Sequence, residues 1–211
     1  MRHRAFASLL LTGLTLTAFA QTQYHPLEVG SKPAKSSPKP VKLAVWSAKP
    51  GSSARLASEK LLFGWSIRPP KGFVSTQKSD SGNQVFIFQG DPRPDGSAPI
   101  LWVITGDRRS APGKKPQDEV IMDVYLIQLH QNRGNWKTTP TEFGSIQGRK
   151  FIRRRWSATE ETGGGARRVR GTVYLTLLGA KYAAVTMQDA DPGASSTLSL
   201  MEASMLTFHK R

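Results

Sequence analysis

From residue 61 onward, short apolar runs alternate with turn residues. The runs are LLFGWSI (61–67), QVFIFQG (84–90), APILWVITGD (98–107), TEFGSIQ (141–147), RKFIRRRWSA (149–158), RRVRGTVYLTLL (167–178) and KYAAVTMQD (181–189). Each has the length and β-branched or aromatic content of a strand, and the first stops at Arg68-Pro69-Pro70 because proline removes a ladder donor. Turn signals separate them: Asp80-Ser81-Gly82-Asn83, the Pro- and Gly-rich stretch 91–97, Gly148, the triplet Gly163-Gly164-Gly165, and Gly179-Ala180-Lys181. The second and third runs are almost continuously apolar, which predicts strands covered on both faces and helices packed against the sheet. Short connections between the last four predict antiparallel pairing.

Two stretches carry a helical period instead. Pro116 at a first-turn position, Asp118 and Glu119 at the positive end of the helix dipole, and Gly134 as a left-handed stop bracket one helix. Val120, Ile121, Val124, Tyr125, Ile127 and Leu129 form its apolar arc, opposite Asp123 and Gln128. A second helix begins near Pro192 or Ser195 and uses Leu198, Met201, Met205 and Leu206, at spacings of three and four. The prediction is an α+β domain, an antiparallel β-sheet flanked by helices.

Before residue 61 the pattern changes. Residues 1–20 run from a basic start at Arg2 and Arg4 through an apolar stretch to Ala18-Phe19-Ala20, the layout of a signal peptide. The apolar stretch falls short of the ~20 residues that span a bilayer, and no other stretch reaches that length, so no integral membrane span is expected. Residues 21–60 are rich in Pro, Ser and spaced Lys and read as a basic, flexible or extended linker, in which VKLAVW (41–46) could add an edge strand or dock on the domain. The single domain is thus assigned to 61–211, and the expected location is periplasmic or extracellular. Export permits disulfides, yet the chain has no cysteine, so burial alone must stabilise it.

The order of elements, the words WSIRPPKGF, GRKFIRRRW and RGTVYLTLLGAKYAAVTM, and the closing SMLTF resemble the PsbP-like superfamily over about residues 61–211. The residues that carry the likeness are Trp65, Pro70, Gly72 and Phe73, then Gly171, Tyr174, Gly179 and Tyr182, and finally Ser204 and Phe208. The resemblance implies an α/β/α sandwich and a non-catalytic accessory role, in a family of photosystem assembly proteins, bacterial envelope proteins and a nuclear-transport regulator. It carries over the architecture and no functional residue, because fold does not fix function.

No catalytic motif emerges from the remaining chemistry. The histidines His3, His25, His130 and His209 lack metal-ligand spacing, and without cysteine there is no thiolate site. Gly144-Ser145-Ile146-Gln147-Gly148 has the wrong spacing for a nucleophile elbow, and Gly163-Gly164-Gly165 lacks the ending of a phosphate loop. Asp91 and Asp95 with Gly96, or Asp189 with Asp191, do not follow a calcium-loop pattern. No catalytic residue, metal or cofactor is assigned, and the domain is expected to be non-enzymatic.

Charge marks one place. Residues 61–211 hold 21 basic and 13 acidic residues, a surplus of eight, and residues 149–170 alone supply six of it. If Glu160 faces Arg167 in a hairpin turning at 161–166, paired numbers sum to 327, and Arg154 lies opposite Val173 on an apolar face with Ile152, Trp156, Ala158 and Val169. The other face then gathers Phe151, Arg153, Arg155, Arg168, Arg170 and Tyr174. Two readings of it stay open. It is a polyanion site, guanidinium on phosphate with aromatic stacking, for an anionic envelope polymer or, less favoured by export, nucleic acid. Or it is a solvated face whose charges pair with Glu160, Glu161, Glu142 or Asp189, in a domain whose partner is an unidentified protein.

Overall fold

Nearly every apolar run becomes a strand, and β-pairing brings distant runs side by side. The computed structural model describes residues 43–80, 83–108, 116–162 and 165–211. Residues 1–42, and with them the signal-peptide pattern and most of the linker, lie outside the described residues, as do the turn residues Ser81, Gly82, Gly163 and Gly164. The strands are β1 Ala44–Val45, β2 Lys60–Leu62, β3 Trp65–Ile67, β4 Val74–Asp80, β5 Asn83–Gln89, β6 Ile100–Asp107, β7 Gly134–Thr138, β8 Glu142–Ile146, β9 Arg149–Thr162, β10 Gly165–Leu178, β11 Lys181–Ala190 and β12 His209–Lys210. The helices are α1 Gln117–His130 and α2 Ala194–Met205. Among the described residues the main sheet has nine strands in the order β1-β8-β9-β10-β11-β6-β5-β4, and β7 joins the second half of β9. Every pair in it is antiparallel except β1 with β8. A second sheet runs β12-β3-β2.

The long β9–β10 pair organises two cores. Alternate side chains of a strand point to opposite faces. Ile152, Trp156, Ala158, Val169, Val173 and Leu175 enter one cluster with Met122, Tyr125 and Leu126 of α1. Phe151 and Tyr174 enter the other with Met201 and Met205 of α2 and Trp65, Ile67 and Phe208 from around the small sheet. β6 is buried from Leu101 to Gly106, as its continuous apolar run predicts.

Ion pairs fix α1 to β9. Buried Asp118 sits 2.8 Å from Lys150 Nζ, and Arg154 donates to Asp123 at 2.8 Å and to Thr141 at 2.7 Å. Tyr125 completes the attachment, its hydroxyl accepting from Trp102 Nε1 at 2.8 Å and Thr186 at 2.9 Å.

The structure corrects several expectations. LLFGWSI is not one strand but β2 and β3 of a tight hairpin, with Phe63 and Gly64 both at positive φ (39° and 80°), the geometry of a two-residue primed turn. VSTQKSD has no apolar alternation to predict a strand, yet it forms β4. It is the sheet edge, where polar residues and Lys78 face water. Gly134 does not stop α1. Asn132, at φ 65°, follows the end of the helix, and Gly134 instead opens β7, where a Cβ would crowd Thr159 Oγ1. The buried side of α1 is Asp118, Met122, Tyr125 and Leu126 rather than the whole predicted arc. The edge strand that VKLAVW could add is β1, parallel to β8, and Leu56 is buried, so residues 43–60 pack with the domain that begins in the sequence pattern at 61.

Gly171 is irreplaceable for steric reasons, because a Cβ there would overlap the Trp156 ring and lie 2.6 Å from the Met187 carbonyl. Gly171→Ala should cost ~1–3 kcal/mol by overpacking, read from the urea midpoint. Burial pushes the Tyr125 hydroxyl up to about 12. A raised folded pKa means that its neutral form contributes fully below its unfolded value of about 10 and that this stability is lost as pH rises from there toward about 12. Tyr125→Phe should flatten that alkaline decline while lowering stability at neutral pH by ~1–3 kcal/mol, since Trp102 and Thr186 lose their acceptor.

Candidate functional site: the arginine hairpin

The β9–β10 register is the one expected from sequence: Glu160 pairs with Arg167, Ala158 with Val169 and Arg154 with Val173. The turn is tighter than 161–166, with pairing continuing to Thr162 and Gly165. Register alone therefore divides the arginines between two faces as predicted. Their surroundings do not form one open basic surface.

Phe151, Arg153 and Tyr174 are buried, each less than a tenth exposed. Arg153 Nη1 donates to the Tyr174 hydroxyl at 3.0 Å and to Glu202 of α2 at 2.8 Å, while Nη2 donates to Glu142 of β8. Tyr174 in turn donates to Glu202. The Trp46 ring lies 4.4 Å from the Arg153 guanidinium and edge-on to Tyr174 at 5.5 Å. Burial opposes the Arg153 charge, but the hydrogen bonds with Glu142 and Tyr174 outweigh it and hold the guanidinium above its ordinary range. Burial, with Glu202 beside it, pushes the Tyr174 phenol well above its ordinary range. These aromatic rings cannot stack on bases, which corrects the place given them in the polyanion site.

The other arginines of that face lie toward the rim. Arg155 donates to Glu142. Arg170 binds Asp191 through Nε at 2.9 Å and reaches Ser195 at 3.0 Å. Arg168 is the most open, its side chain 66% exposed and 3.6 Å from Asp191. On the opposite face, Arg154 is explained by Asp123 and Thr141. Of the counter-charges expected for the Arg153 face, Glu142 serves Arg153 and Arg155, whereas Glu160 lies on the Arg154 face and pairs with Arg167 and Arg133, and Asp189 serves Arg93, which holds it bidentately at 2.6 Å on each oxygen. Asp123, Glu202 and Asp191 were not foreseen, because they approach from α1, α2 and the end of β11, elements whose packing partners no local pattern reveals. Asp189 and Asp191, which lack calcium-loop spacing, are both engaged by arginine, and Asp95 by Ser97.

Among the described residues, open surfaces include a stripe on α1, a cleft beside Arg167 and Arg168 at the tip of the arginine hairpin, and a cleft at the turn of β8 and β9. On α1, Val124 and Ile127 are 47% and 63% exposed, beside half-buried Val120. Near the hairpin turn of β8 and β9, a cleft of about 500 Å³ is lined by Trp65, Ile146, Gln147, Gly148, Arg149, Lys150, Phe208, His209 and Lys210.

No family model and no curated protein matches the chain. Among solved structures, the cyanobacterial PsbP (CyanoP) of Synechocystis sp. PCC 6803 matches with TM-score 0.53 and 15% identity, over 79% of this chain and 98% of that one. The Ran-binding protein Mog1p of Saccharomyces cerevisiae matches with TM-score 0.47 and 15% identity, over 72% and 94%. The chain has a PsbP-like, α+β fold.

The arginines differ in what they do for the fold, and mutation should separate them. Arg153→Ala removes one partner of a buried charge network and should cost ~3 kcal/mol. Arg168→Ala, at the exposed rim, should cost less than ~1 kcal/mol. Urea denaturation of both variants measures the contrast, and equal losses would contradict it.

Proposed function

We propose that this PsbP-like domain is an exported, non-enzymatic binding or assembly module, layered as an α/β/α sandwich, that docks a protein partner on the outer face of α1. The observation that carries the reading is the width of the apolar pattern on that helix. Its core side is complete with Met122, Tyr125 and Leu126, yet Val120, Val124 and Ile127 continue a second stripe at spacings of four and three. Fully burying an aliphatic side chain is worth about 1.5–3 kcal/mol, so a partner that covers the stripe gains part of this for each residue. The stripe is already rigid, since Asp118–Lys150 and Arg154–Asp123 pin the helix, and little ordering entropy is lost on docking.

Other parts of the reading have their own support. Export rests on the signal-peptide pattern of residues 1–20. The sandwich layering is supported by Arg153 and Arg154, strand neighbours that point to opposite faces and reach α2 and α1 respectively. A non-enzymatic role is supported by the engagement of Asp189 and Asp191 with Arg93 and Arg170 in fold-stabilising pairs.

A photo-crosslinking residue introduced at position 120, on the edge of the stripe, should give one discrete adduct in the native host. In the same crosslinkable protein, Val124→Asp with Ile127→Asp should abolish the adduct without lowering the melting temperature, because both side chains already face outward. An adduct of twice the chain mass would assign the face to self-association, and persistence of the adduct in the double variant would sink the reading.

A further inference from the structure

We infer that the cleft between the β8–β9 turn and the small sheet is an anion-binding site that takes an acidic peptide segment of a protein partner. The inference rests on the reading of the domain as a protein-binding module and names the chemistry of a contact beyond α1. The cleft is built from both sheets. Ile146, the Gln147–Gly148 turn, Arg149 and Lys150 come from the end of the β8–β9 hairpin, and Trp65, Phe208, His209 and Lys210 from the small sheet and its approach. At about 500 Å³ it falls within the range of ligand-binding pockets and far exceeds the need of a single small ion.

Its charge is unbalanced. The carboxylates around it are already engaged: Glu59 accepts from Ser66 and Arg211 and lies 3.2 Å from His209, and Asp118 lies 2.8 Å from Lys150. The hydrogen bond from Ser66 and the one from Arg211 hold the Glu59 carboxyl below its ordinary range. Arg149 and Lys210 have no carboxylate partner among the described residues. Arg149 lies over the Trp65 ring at 4.7 Å and donates one N–H to the Leu177 carbonyl at 3.1 Å, which fixes a cation without neutralising it.

The lining also sets the class of ligand. Trp65, Ile146 and Phe208 are at most 7% exposed and belong to the core beneath the cleft, so its open surface is set by the basic and polar groups around it, and the complementary ligand is negatively charged. A peptide segment rich in Asp or Glu has that character. Lys150 connects the cleft to the sheet-facing side of α1 through Asp118.

The test uses the purified domain and a fluorescein-labelled peptide Asp-Glu-Phe-Asp-Glu, followed by anisotropy. Binding should weaken with salt, as screened charge contacts do. Lys210→Glu should reduce affinity about tenfold, and addition of Arg149→Gln should abolish binding. Lys210 is exposed and makes no side-chain pair among the described residues, so Lys210→Glu keeps the fold, which an unchanged melting temperature verifies. Arg168→Glu, at the distant rim, should leave affinity unchanged. Equal binding of the neutral peptide Asn-Gln-Phe-Asn-Gln, equal loss in Arg168→Glu, or undiminished affinity in Lys210→Glu would each overturn the site. So would phosphatidylglycerol vesicles binding with this residue dependence while the peptide does not bind. The double variant Val124→Asp with Ile127→Asp should bind the peptide normally, so failure of α1 docking and failure of the cleft are read separately.

Discussion

Two consecutive arginines in a strand covered on both faces impose a severe constraint. Arg153 and Arg154 point to opposite sides of β9, and neither lies in open water. A charge withdrawn from water must be paired and hydrogen-bonded or it destabilises the fold by several kcal/mol. The chain meets the requirement by bringing α2, through Glu202, to one side and α1, through Asp123, to the other. Glu142 and Thr141, at the start of β8, complete the two shells. One dipeptide thus ties both helices and the β8 edge to β9.

That dependence explains why the register of β9 and β10 is so well determined. A slip of β9 by one residue would exchange Ile152 and Trp156 for Arg153 and Arg155 on the α1 face and set both cations among apolar groups. Gly171 sharpens the same choice, since only its position leaves room for the Trp156 ring against β11.

Alternation between β-branched and charged residues made this register legible from the sequence alone, and the continuous apolar run of β6 announced a strand covered on both faces. The covering of the arginine face was not legible. The pattern distinguishes two faces of a strand but not which of them is wet, and a face of Phe, Arg and Tyr reads as exposed until a helix bearing Glu202 is placed on it. β4 and β7 escaped for a related reason: their strand character comes from pairing with β5 and β9 rather than from their own residues. On α1 the arc was visible but not its division, because Asp118 and Met122 face the sheet while Val124 and Ile127 face outward. The cleft beside Trp65 joins residues as distant in the chain as Trp65 and Lys210, with the β8–β9 turn between them, and no window along the sequence contains it.

Trp46 gives the start of the domain an unusual mechanical character. Its backbone N–H donates to the Ser145 carbonyl, its ring fills the space that a side chain at position 144 would occupy, and Arg153 and Tyr174 hold it from the side. A pull on the chain ahead of Leu43 is therefore borne first by an aromatic plug seated in the sheet rather than by the core. Tension and the integrity of the Arg153 network are coupled: withdrawing the plug would admit water to the same guanidinium that ties α2 and β8 together.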